Sequence, residues 1–180
     1  MLNQANERNA CLAELSPSDF ALLRSHLVPL DLRVGDLLHY CGERVEHVVF
    51  PHSGLIAMTL PVSQESSAGV ALVGREGVIG GFAAIGSAPA ACNAEVHVAG
   101  TASRMPVATF RHALEQHPAL RRLAARFDSA MLAHAHQTAM CNAAHPVESR
   151  FCRYLLEVQD RCGGNKISLT QATLGQLLSV

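Results

Sequence analysis

The 180-residue sequence contains no Cys-x-x-Cys pair; its six cysteines, Cys11, Cys41, Cys92, Cys141, Cys152 and Cys162, are scattered. That scatter argues against a zinc ribbon, a thioredoxin-type site or an iron–sulfur cluster, and reads as buried or inert thiols. A redox-sensing thiol would need a lowered pKa, which a sequence does not display. No apolar run reaches membrane length, and the N-terminal MLNQANERNACLAEL lacks a basic segment followed by an apolar one. No membrane partner and a cytoplasmic location are therefore expected. Gly-x-Ser-x-Gly is missing, and Gly77 to Gly86 lacks the Lys-Ser/Thr ending of a phosphate loop. With no Ser-His-Asp or Cys-His pairing at motif level, catalysis is not supported. Internal repeats and low-complexity tracts are absent too. Charged residues are scarce, 16% against 49% hydrophobic, which describes a well-buried globular chain and not a disordered one.

The few charges are unevenly placed. Residues 1–110 carry six Arg against ten acids, and residues 111–180 carry seven Arg and Lys166 against five, within a net charge of −1. A basic surplus toward one end suits contact with a polyanion, although a surplus of three also suits a solvated face.

Hydrophobic periodicity divides the chain into three. Residues 12–26 read as a short helix started at Ser16, with Pro17 in its first position and Asp19 in its first turn. From Leu27 to Pro106 come seven short apolar runs, LVPLDL, DLLHY, HVVF, LIAMTLPV, GVALV, AEVHV and ASRM, cut by turn residues, with the Gly77 to Pro89 stretch as one of the breaks. Short strands at near-regular spacing predict an antiparallel sandwich or jelly-roll barrel. Residues 106–117 return to helical spacing. Pro118 to His145 then has no internal Gly or Pro, and predicts one helix of roughly 40 Å at 1.5 Å per residue. Leu120, Phe127, His134 and Cys141 recur every seven residues along it, with Leu123, Met131 and Thr138 between. That is the spacing of a two-stranded helical seam, greasy in its first half and polar in its second; a helix packed on its own domain gives the same pattern. The expected dimer contacts are Leu120, Leu123, Phe127, Met131, His134 and Thr138. A further helix follows Pro146, Gly163-Gly164-Asn165 stops it, Lys166 to Leu169 reads as a short strand or connector, and Thr170 caps a last helix.

These segments resemble the bacterial Crp/Fnr family of transcription regulators. The resemblance covers roughly residues 12–180. It rests on the turn from Gly42 to Pro51-His52-Ser53-Gly54, on Gly74-Arg75-Glu76-Gly77, on HPVESRFCRYLL, and on Leu169-Thr170-Gln171. It implies an α+β protein: a cyclic-nucleotide-binding-domain-like antiparallel jelly roll over 12–117, a long dimerisation helix over 118–145, and the start of a winged helix-turn-helix over 146–180. DNA is the implied partner, of the full-length protein only, because the second, DNA-reading helix and the wing do not follow Thr170 to Leu178. Thr170 and Gln171 would then touch DNA phosphates from a helix N-terminus, unless they simply cap it.

The resemblance also implies where an effector sits, and there the chain departs from it. Nucleotide-binding relatives carry a Gly-Glu pair for the ribose and, farther on, an Arg for the cyclic phosphate. Here the stretch runs from Gly80-Gly81-Phe82 to Ala90-Ala91-Cys92-Asn93, with no Arg or Lys between Arg75 and Arg104. A buried phosphate needs a charge-assisted partner, so no cyclic nucleotide and no cofactor are expected. Arg75 and Glu76 read as a solvated turn. A degenerate apolar pocket for a small-molecule effector would use Gly80, Gly81, Phe82, Ile85, Val96 and Val98. Ten histidines raise a metal or haem reading, but His134 and His136 diverge by about 200° on a helix, and no metal ligands are assigned. Two other readings stay open: a sensor or dimerisation module that works without DNA, and a jelly-roll metal enzyme.

Overall fold

A computed structural model of the chain describes residues 8–63, 66–86 and 88–162, with 174, 175 and 178 beyond them. The first segment makes two helices where one was expected, α1 (Ala10–Ala13) and α2 (Pro17–Arg24). Two caps in succession explain the break: the Asn9 side chain accepts from the Leu12 N–H, and the Ser16 hydroxyl accepts from the Asp19 N–H. Asn9 also donates to the carbonyls of Pro51 at 2.9 Å and Gly77 at 2.8 Å, fastening α1 to the barrel.

Each of the seven apolar runs becomes a strand: β1 (Val28–Leu32), β2 (Leu37–His39), β3 (His47–Pro51), β4 (Leu55–Pro61), β5 (Ser67–Val73), β6 (Asn93–Val98) and β7 (Gly100–Pro106). They pair antiparallel in two sheets, ordered β1-β7-β3 and β2-β6-β4-β5. Between the sheets lie Leu32, Ile56, Met58, Val73, Ile79 and Val96, none more than 8% exposed. Strand β4 is buried on both faces because successive side chains alternate. Ile56 and Met58 enter the barrel, while Leu55 and Ala57 join a second cluster outside it. The turn before β4 requires glycine: Gly54 has φ +87°, and a Cβ there would lie 2.6 Å from the Val98 carbonyl oxygen.

The Gly77 to Pro89 stretch, expected only as a break, contains α3 (Gly81–Gly86). Gly80, at φ +79°, starts it, and the Arg111 guanidinium donates to the carbonyls of Ala83 and Ala84 in its second half. After β7 come α4 (Val107–Gln116), α5 (Pro118–Ala144) and α6 (Val147–Cys162). Pro118 suits the first turn of α5, and Pro146 excludes helical geometry just before it, so α5 runs unbroken between the two. At the α4–α5 joint, His117 Nδ1 lies 3.0 Å from Asp19 Oδ1 of α2. Tyr154 and Val158 of α6 pack on Leu55, Ala57 and Leu72, the outer face of the four-stranded sheet. The fold is α+β, an antiparallel barrel followed by helices. The expected connector from Lys166 and the capped helix from Thr170, with Thr170 and Gln171 themselves, lie outside the described residues apart from 174, 175 and 178. No described helix is long and apolar enough to cross a membrane.

Candidate functional site

The six residues expected to line an effector pocket do not converge. Val96 points between the sheets and is fully buried. Phe82 packs against the cluster beneath α3 and meets the His39 ring edge-on at 6.3 Å. Ile85 turns outward, 43% exposed. Val98 packs with the α6 cluster on the opposite face of the sheet from Val96. The cause is a β-bulge: Ile56 opposes Val96 and Leu55 opposes Val98, so His97 is an extra residue in β6 and reverses the side-chain parity after it. Gly80 and Gly81 are backbone positions; a Cβ on Gly80 would meet the His47 carbonyl oxygen at 2.8 Å.

Helix α5 presents two faces. Leu120 is buried in the cluster formed with α1, α2 and α4. Leu123 and Phe127 pack against that cluster, and Phe127 and Met131 also reach the barrel core. His134 and Thr138 meet α6: the His134 Nε2 lies 3.0 Å from Glu157 Oε2, and an Arg153 guanidinium nitrogen lies 3.4 Å from the Thr138 hydroxyl. The face expected to make a dimer seam thus packs in part within the chain: Leu120 is buried, and Leu123, Phe127, Met131, His134 and Thr138 are half-buried. The opposite face is exposed and has a heptad order of its own: Ala125, Ser129, Leu132, His136, Ala139 and Ala143, at alternating steps of four and three.

Where α5 leaves the barrel, polar groups gather. Arg153 Nε and Glu157 Oε1 are 2.8 Å apart, one turn along α6. Arg161 Nε meets Glu76 Oε1 at 3.0 Å, and its Nη2 lies 3.4 Å from His134 Nδ1. Glu76 also accepts from the Gly74 N–H. In the Gly74–Gly77 turn the two glycines are buried and Arg75 and Glu76 are exposed, but Glu76 is tied to α6. Burial alone would raise the Glu157 carboxyl; the His134 hydrogen bond and the charges of Arg153 and Arg161 outweigh it and hold the group below its ordinary value. The Cys141 thiol is pulled down by a hydrogen bond from Gln137, helped by Arg153 and opposed by burial.

His134, Cys141, Arg153 and Glu157 of this group also line a cavity of about 50 Å³ between β5, α5 and α6. Two buried atoms on it, Arg150 Nε and the Tyr154 hydroxyl, have no hydrogen-bond partner among the described residues. Burial pushes the Tyr154 phenol up, so it is a neutral hydroxyl. Sequence reasoning missed Tyr154, Glu157 and Arg161. The signal was present as i,i+4 pairs, Arg150 with Tyr154, Arg153 with Glu157, and Glu157 with Arg161, which place polar groups on one helical face. Among the described residues no group of three or more His, Cys, Asp or Glu side chains could hold a metal ion.

No family model and no curated protein sequence matches the chain. Solved structures do share its fold. The c-di-GMP responsive global regulator CLP of Xanthomonas campestris aligns at a TM-score of 0.72 and 11% identity, over 91% of this chain and 85% of its own. A Eubacterium rectale structure described as a transcriptional regulator of the Crp/Fnr family aligns at 0.72 and 12% identity, over 92% and 78%. A cyclic nucleotide-binding domain from Methylobacillus flagellatus aligns at 0.58 and 13% identity, over 74% and 79%. The barrel with its trailing helices is thus the fold found in Crp/Fnr regulators and cyclic nucleotide-binding domains.

Proposed function

We propose that the chain is the effector-sensing and coupling part of a Crp/Fnr-type transcription regulator, a cytoplasmic homodimer that takes no cyclic nucleotide and whose full-length form binds DNA. The observation that carries this is α5: its inner face is held by the barrel and α6, and its outer face is open in heptad order. The second copy belongs on that outer face, along Ala125, Ser129, Leu132, His136, Ala139 and Ala143, where small residues allow two helices to approach closely. Leu132, 58% exposed, is its largest apolar contact.

Against a cyclic nucleotide stand the lack of any Arg or Lys between Arg75 and Arg104, and the filling of the space between the sheets by Met58, Val73, Ile79 and Val96. An unpaired buried phosphate would be too costly there. The effector acts by binding unequally to two packings of α5 and α6, which then present the DNA-reading unit differently. Thr170 and Gln171 are its phosphate contacts, at the start of that unit.

Light scattering after gel filtration tests the dimer. The chain elutes as a dimer at micromolar concentration, Leu132→Glu as a folded monomer, and Thr138→Ala still as a dimer; a monomeric wild type refutes the seam. Full-length protein selects a sequence from a random duplex pool in a salt-dependent way, and selection of none favours a sensor module that works without DNA. Cyclic AMP gives no saturable thermal shift, and a clear shift would overturn the reading of the barrel.

A further inference from the structure

We propose that the cavity between β5, α5 and α6 is a binding site for a short-chain aliphatic carboxylate, held by Arg150 and Tyr154. The proposal does not depend on whether the protein binds DNA.

Two polar atoms point to a missing acceptor. Tyr154 is only 7% exposed, and its hydroxyl is unpartnered among the described residues. Arg150 Nε is buried and equally unpartnered. Buried polar groups are nearly always paired, so a site that leaves two donors open is built for something that accepts from both. The residues are four apart on α6, so both donors leave the same helical face, and both line the cavity. A carboxylate offers two oxygens at one carbon, one for each donor.

Charge selects an anion. The Glu157 carboxylate in the cavity wall is already matched by Arg153, Arg161 and His134. Arg150 has no carboxylate partner among the described residues; its one side-chain hydrogen bond goes to the Leu178 carbonyl oxygen. The charge left over is positive. An arginine hydrogen bond to a carboxylate is of the strong, charge-assisted kind.

Size and lining select the tail. About 50 Å³ exceeds the 10–15 Å³ or so that one water needs and suits a small anion. The β5 stretch from Gly69 to Leu72, with Leu72 packed in the same outer cluster as Tyr154, forms a largely apolar floor opposite the α6 donors. An anion with two to four carbons fits this better than phosphate, whose oxygens would face that floor unpaired.

Calorimetric titration of the chain with acetate, propionate, butyrate, phosphate and chloride at constant ionic strength tests the proposal, with thermal shift alongside. Saturable binding and stabilisation are expected for at least one of the three carboxylates, with phosphate and chloride giving neither. Tyr154→Phe, which removes one oxygen, weakens binding at least tenfold, as does Arg150→Lys, which keeps the charge and loses Nε. Glu148→Gln, on the exposed first turn of α6, binds as wild type. No saturable carboxylate binding, an equal response to chloride, or undiminished binding by both site variants would overturn the proposal. Circular dichroism confirms that each variant is folded, and either site variant alone suffices for the comparison.

Discussion

Replacing Gly77 by Ala would put a Cβ 2.5 Å from Phe127 Cε2 and 2.6 Å from Val73 Cγ1. No real pair of carbons sits that close, so the Phe127 ring or the turn must move. Overpacking of this kind costs about 1–3 kcal/mol. Phe127→Ala removes a half-buried ring that touches both the helical cluster and the barrel core. Full burial would make that loss about 3–5 kcal/mol, and partial exposure reduces it to roughly 2–4. In a chain of this size each kcal/mol lowers Tm by about 2–4 °C, so Phe127→Ala alone shifts it by roughly 4–16 °C. The double variant is the informative one. With the ring gone, the methyl added at position 77 loses its two nearest clashes and keeps that with Val73, and the combined cost falls short of the sum by at least about 0.5 kcal/mol. Urea unfolding at two protein concentrations, with the slope m compared across variants, separates this from any change in association. Additivity within about 0.3 kcal/mol would refute the packing of Phe127 on Gly77. A Phe127→Ala variant that dissociates while keeping full chain stability would return the dimer seam to the inner face.

Two titrating sets give further expectations. Burial depresses His39 and His97 below the ordinary histidine value, with Glu95 partly opposing it at His97. The unfolded chain therefore takes up protons first, so their contribution to stability is complete above about pH 6.5 and is lost as pH falls below it. Unfolding free energy measured from about pH 7.5 to 5 should fall, and His39→Gln should flatten the slope; an unchanged slope contradicts the burial of that ring. Burial also pushes the Cys11 and Cys92 thiols up to about 11. Iodoacetamide at about pH 8 should label exposed Cys152 well before either, and mass spectrometry showing equal rates would count against the packing around them.

The strands were legible because their signal is local: a short apolar run between turn residues reports itself, and all seven runs became strands. Their order in the sheets was not, since hydrophobic alternation says which face is buried and nothing about the neighbour. The pocket residues failed for a related reason. Val96 and Val98 share a face only if parity is kept, and one inserted residue, His97, breaks it without any Gly or Pro to mark the place. The helical interior of the Gly77 to Pro89 stretch was hidden by its glycines, which read as breakers although Gly80 starts the helix that follows. On α5 the heptad Leu120 to Cys141 lies on the face that packs on the barrel and α6. A seven-residue period shows that a face is covered and does not identify what covers it.

The change in that face from greasy to polar halfway along then acquires a physical meaning. Up to Met131, α5 rests on the barrel and the helical cluster, where packing at interior density has a single arrangement and resists displacement. From His134 onward it meets α6 through hydrogen bonds and ion pairs, which can exchange partners at small net cost because each broken bond can be replaced. Arg161 shows what such an exchange would transmit, since it reaches Glu76 in the turn after β5, Glu157 on its own helix and the His134 ring at once. A shift of that turn of the size of one hydrogen bond would force Arg161 to choose among them, and α6 would move with its choice. On the function proposed above, the first half of α5 would hold still and the second would be repositioned. That division suits a chain in which a barrel must pass a small change to the helices beyond it.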